Sequence, residues 1–125
     1  MVEEKTDSGI IRISDEAVAT IASAAARGVP GVIDLDGGAA TGFAEMLGIK
    51  NEIKGIKVDM HSESVSLEIN LVVEFGRDIS IVATKVQEEV KDSIEKMASL
   101  YVEKVNVNIN SVRRSPPAKL PDATV

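Results

Sequence analysis

No cysteine and no tryptophan occur in the chain, and its aromatic residues are Phe43, Phe75 and Tyr101. The missing thiols exclude disulfides, thiol nucleophiles and zinc–thiolate sites, and they fit a reducing compartment. With so few rings, a core must be aliphatic, built from Val, Ile, Leu and Ala. His61 is the single histidine; it falls beside a turn on a polar strand face, where a surface residue is expected. The first residues, MVEEKTDSG, are polar and charged, so no signal peptide is read there. No apolar run approaches the length of a membrane span. A soluble, intracellular protein is the expectation. Net charge is −6 over 125 residues, and the last stretch is locally basic, so the body is more acidic still. Such a body repels nucleic acid and anionic lipid unless its cations cluster.

What is present is periodicity. Ser14 can cap a helix whose first turn holds Asp15 and Glu16 and whose apolar positions Val18, Ile21, Ala22 and Ala25 recur every three or four residues. Arg27 meets the negative end, Gly28 is placed for a left-handed C-terminal conformation, and Pro30 prevents continuation. The glycines of AAARGVPGVIDLDGG therefore follow a helix. A phosphate-binding loop needs them between a strand and a helix start, so this stretch reads as a helix stop followed by a strand, Val32 to Leu35.

Strict alternation comes next. Ile56, Val58 and Met60 oppose Lys57, Asp59 and His61, and after HSES the residues Val65, Leu67, Ile69, Leu71, Val73 and Phe75 oppose Ser66, Glu68, Asn70, Val72 and Glu74. This predicts a β-hairpin with one buried face. Asp78 can cap a long helix with a stripe at Ile79, Val82, Val86, Val90, Ile94 and Met97. The final strand, Tyr101 to Ile109, turns Val105, Val107 and Ile109 inward and Asn106, Asn108 and Asn110 outward. The order strand, helix, strand, hairpin, helix, strand predicts an α+β fold, a two-layer sandwich with two helices packed on one face of a mixed sheet of about five strands. The two strand–helix–strand units read as related halves. Residues 1–8 read as a flexible N-terminal tail, 9–112 as one domain, and 113–125 as a disordered proline-rich tail.

Nothing in this pattern assembles a nucleophile with a base, a metal cluster or a dry carboxylate pair. No enzyme activity, cofactor, metal site or small-molecule substrate is expected. The open sheet face carries no aromatic and little positive charge, so base stacking on RNA is not expected either. Two regions are candidates for protein contact. Phe43, Met46 and Leu47 stand at i, i+3 and i+4 in a glycine-bearing insert between the strands at 32–35 and 56–60, either folding onto their own core or docking a partner. Asn106, Asn108 and Asn110 mark a strand without proline or inward charge. If that strand lies at a sheet edge it is a self-association site, and if it is central its groups are used within one chain.

Four stretches in order, ISDEAVATIASAAARGVPGV, LGIKNEIKGIKVD, LEINLVVEFG with KVQEEVKDSIEKM, and VEKVNVNINSV, make the chain resemble the alkaline-shock protein family, also called the glucose-starvation general stress family, of bacterial envelope stress proteins. The resemblance covers residues 9–112. It implies a small cytoplasmic protein without assigned catalysis that gathers at the inner face of the membrane through a membrane-protein partner and helps the envelope withstand stress. It carries over no catalytic residue. A homo-oligomeric scaffold or adaptor is the leading expectation; a regulator that binds an enzyme of fatty-acid synthesis is the alternative from another class.

Overall fold

The computed structural model describes residues 1–37 and 54–114. Its elements are β1 (Val2–Thr6), β2 (Gly9–Ile13), α1 (Asp15–Arg27), β3 (Val32–Leu35), β4 (Ile56–Met60), β5 (Ser64–Glu74), α2 (Ile79–Ala98) and β6 (Tyr101–Arg113). The α+β class is as the periodicity predicts. β5 is the spine of a four-stranded sheet: it pairs antiparallel with β3 and β4 and parallel with β6. Because β6 runs beside β5 from Ser64 to Glu74, β3 and β4 share the opposite edge of β5 end to end.

Local chemistry explains the boundaries. The Ser14 hydroxyl accepts the N–H of Ala17 at 3.1 Å, and the Asp78 carboxylate accepts that of Ile81 at 3.2 Å, each satisfying a donor with no partner inside its helix. Gly28 keeps right-handed helical angles (φ −79°), contrary to the left-handed conformation expected of it. The chain instead reverses one step later: Val32 N–H donates to Val29 C=O at 3.1 Å across Pro30 and Gly31, whose φ is +99°. Proline second and a positive-φ glycine third are the chemistry of a type II turn. The RGVPGV segment thus aims β3 at the end of β5.

Both helices cover one face of the sheet. Val82, Val86, Val90, Ile94 and Ala98 of α2 and Val18, Ala19, Ala22 and Ala26 of α1 are buried against Leu35, Ile56, Val65, Leu67, Ile69, Leu71, Val73, Val102 and Val105. Met97 and Phe75, expected inward, are exposed at 71% and 62%. The stripe of α2 ends on Ala98 instead, and Phe75 lies past the end of β5, where the Arg114 guanidinium sits 5.0 Å over its ring. Val72 departs the other way. It lies on the face away from the helices and yet is only 1% exposed.

Residues 1–8 are not a tail. β1 pairs with β2 from Val2↔Ile13 to Thr6↔Gly9, and Val2 is 3% exposed within the main core. The turn is closed by Thr6, whose hydroxyl accepts the Ser8 N–H at 3.2 Å. This hairpin is a sheet of its own, so β2 does not add a fifth strand to the main sheet, and the two strand–helix–strand units differ. Only β5–α2–β6 joins adjacent parallel strands of one sheet. β6 also outruns its predicted end at Ile109, since Ser111, Val112 and Arg113 continue the ladder against Val72, Val73 and Glu74.

Candidate functional site

β6 has β5 as its one strand partner among the described residues. It is an edge strand, which decides between the two placements left open by its sequence. Its register against β5 shifts between the Val65 and Ser66 pairs, at Glu103, and between the Leu71 and Val72 pairs, at Asn110. Between these irregularities Lys104 to Ile109 run in regular register, with Val105, Val107 and Ile109 toward the helices and Asn106 and Asn108 on the open face.

The asparagines are partly used within the chain. Asn108 Nδ2 donates to Glu68 Oε2 at 2.8 Å and to Asn70 Oδ1 at 2.9 Å, and Asn110 Nδ2 reaches Asn70 Oδ1 at 3.4 Å. These contacts lace β6 to β5 on the open face. Asn106 is exposed at the rim of a shallow depression of about 320 Å³ with Lys57, Glu68 and Lys104. Glu103 accepts the hydroxyls of Ser64 and Ser66 at 3.1 and 3.2 Å. The face is polar, mixed in charge and largely bonded to itself. His61 is exposed, its Nε2 3.5 Å from Asp59 Oδ2.

Phe43, Met46 and Leu47 lie outside the described residues. The points where their segment leaves and rejoins the sheet are well defined. Asp36 N–H donates to Asn70 C=O at 2.8 Å, and Asn70 N–H donates to Gly55 C=O at 2.9 Å, so one residue of β5 holds both. Beside them Asp34 accepts Arg27 Nη1 at 3.0 Å and Lys54 Nζ at 3.1 Å. Partial burial pushes the Asp34 carboxyl up, but the hydrogen bonds from Lys54, the Leu35 N–H and Arg27 outweigh it and hold the group below its ordinary 3.8.

Sequence reasoning passed over two features. A groove of about 680 Å³ lies between the β1–β2 hairpin and the α2–β6 junction, lined by Val2, Lys5, Ile13, Ala98, Leu100 and Tyr101 among others; the polar turn Thr6–Gly9 between alternating runs was its available signal. Two side chains of α2 also bond the backbone of β6: Glu95 accepts the Val102 N–H at 3.2 Å, and the Gln87 amide donates to Val105 C=O at 3.0 Å. Among the described residues no group of three or more His, Cys, Asp or Glu could hold a metal ion, and no helix is long and apolar enough to cross a membrane.

Comparison with known proteins agrees with the resemblance in the sequence. The uncharacterized protein YqhY of Bacillus subtilis (strain 168) is 35% identical over 113 residues, 90% of this chain and 84% of its own. YloU of the same organism is 30% identical over 118 residues, 93% of this chain and 98% of its own. Among solved structures, MamM-CTD is 16% identical, with 78% of this chain and 99% of that one covered at a TM-score of 0.49. Residues 3–114, which include all of the β1–β2 hairpin but Val2, match a family described by its cell envelope-related function, and the chain belongs to this alkaline shock protein (ASP23) family.

Proposed function

We propose that the chain acts in the envelope stress response as a non-enzymatic cytoplasmic scaffold or adaptor that self-associates and is held at the inner face of the membrane by a membrane-protein partner. The observation that carries this reading is the outer edge of β6, a strand of 13 residues that pairs there with no other strand among the described residues. Backbone donors and acceptors along such an edge are a template for another strand. Asn70, Asn108 and Glu68 spend their hydrogen bonds on one another, which supports a structural role for the open face over a catalytic one. Fractionating native cells with and without candidate membrane partners tests the tether. The protein is expected in the membrane fraction and to move to the soluble fraction when its partner is deleted. A protein wholly soluble under every envelope stress refutes the tethered scaffold.

A further inference from the structure

The outer edge of β6 is not uniformly open. In a strand the N–H and C=O of one residue point to the same side, and the side alternates along the chain, so a strand with one neighbour gives alternate residues to it and turns the rest away. The contacts from α2 identify which are turned away: the Val102 N–H goes to Glu95 and the Val105 C=O to Gln87. Both residues bury their side chains beneath the helices. Val107 and Ile109 pack on that same side, so their backbone groups also face outward.

Helix α2 reaches only half of this edge. Glu95 and Gln87 are eight residues apart on one flank, and one further step of four along it is Ala83, which has no polar side-chain group. The neighbouring Thr84 commits its hydroxyl to Ser80 C=O at 2.8 Å. The helix therefore takes up the Val102 N–H and the Val105 C=O and, among the described residues, makes no such bond to Val107 or Ile109. The bulge at Asn110 bounds the open stretch on its other side.

We propose that this open half of β6 pairs with the same stretch of a second copy, antiparallel, about a two-fold axis through Asn108. The proposal rests on the self-association reading above and names its geometry. An axis at Asn108 sets Val107 opposite the second copy's Ile109, so the two residues with outward groups exchange hydrogen bonds and the groups bonded by α2 are not needed. Asn108 then faces its own counterpart in a non-hydrogen-bonded pair, with Cβ atoms about 4.5–5.5 Å apart. The stretch VNVNINSV from Val105 to Val112 is uncharged, so no like charges meet along the paired residues. A two-fold interface must be self-complementary in this way.

The chain has no cysteine, so one introduced thiol reports the axis directly. Asn108→Cys is expected to form a disulfide-linked dimer under mild oxidation, whereas Lys57→Cys, on β4 of the same face, is not. Val107→Pro removes an outward N–H without touching the β5 ladder, and it is expected to weaken dimerisation about tenfold or more in sedimentation while the thermal melt still shows a folded protein. Should Val107→Pro not fold, the Asn108→Cys cross-link decides alone. Self-association that persists without the Asn108→Cys cross-link overturns the edge pairing and leaves the scaffold reading standing. A wild-type chain that is monomeric at every concentration overturns both. Cross-linking of Asn108→Cys to an extended segment of another protein, and not to itself, overturns the second copy as occupant.

Discussion

Replacing Gly55 with alanine tests the way β3 and β4 are joined along one edge of β5. Gly55 has φ +78°, where an L-residue costs about 1–2 kcal/mol. A Cβ there would stand 2.9 Å from Asp36 N, 3.0 Å from Leu35 Cβ and 3.2 Å from Asn70 O. None of these is the free end of a flexible side chain: two are backbone atoms and the third belongs to a leucine that is 0% exposed. Relief requires moving the strands that Asn70 holds, an overpacking cost of about 1–3 kcal/mol. The sum, about 2–5 kcal/mol, is a large part of a domain's usual 5–15 or so. For a chain of this size it corresponds to a fall in melting temperature of roughly 6–20 °C. Gly76→Ala supplies the control, since Gly76 has φ +99° but a Cβ added there would meet nothing within 4 Å; only the conformational cost of about 1–2 kcal/mol applies. Urea unfolding of both variants measures the difference. Equal losses, or a loss below about 1 kcal/mol at Gly55, refute the close approach at this junction.

Val2→Ala is expected to cost roughly 1.5 kcal/mol, at about 0.8 per buried methylene, because Val2 is 3% exposed; an unchanged urea midpoint would return residues 1–8 to the status of a tail. Asp34→Asn addresses the clamp beside Gly55. The folded carboxyl titrates below its ordinary 3.8, so its stabilising contribution is present above that value and is lost as pH falls through the lower, folded one. The wild type should therefore exceed Asp34→Asn in stability near neutral pH, with the gap closing as pH falls below about 4. Melting temperatures at several pH values check this, and a gap independent of pH would remove the ionic account.

The elements with strong local signals were legible from the sequence. Ser14 and Asp78 cap the helices where their spacing says, and Val32–Leu35 is a strand with the bounds read from the turn before it. β1 was not legible, because VEEKT has one apolar residue, and its order comes from pairing with β2 and from burying Val2. Gly28 was misread for a related reason. Helix stops are chosen by where the chain must go next, and the turn at Pro30–Gly31 aims β3 at β5. Whether β6 lay at an edge was undecidable locally: VNVNIN alternates equally well with one neighbour or two. Topology decides it, since among the described residues β5 is the one strand that pairs with β6. The contacts from Gln87 and Glu95 were invisible for the same reason, as both read as ordinary residues of a solvated helix face.

The chain leaves and rejoins the sheet on the side of β5 opposite β6. Gly37 and Lys54, between which Phe43, Met46 and Leu47 lie in sequence, flank the β3–β4 edge of β5, while the open half of β6 lies beyond the other edge. A pair of chains joined through β6 would therefore run from one β3–β4 edge, through β5 and both copies of β6, to the second β3–β4 edge. At about 4.8 Å per strand spacing, five spacings separate the two outer edges by roughly 24 Å. Self-association then leaves both departure points facing away from the axis. In such a pair the position of β5, with β6 on one edge and β3 and β4 on the other, keeps the strand pairing away from the points where residues 38–53 leave and rejoin the sheet.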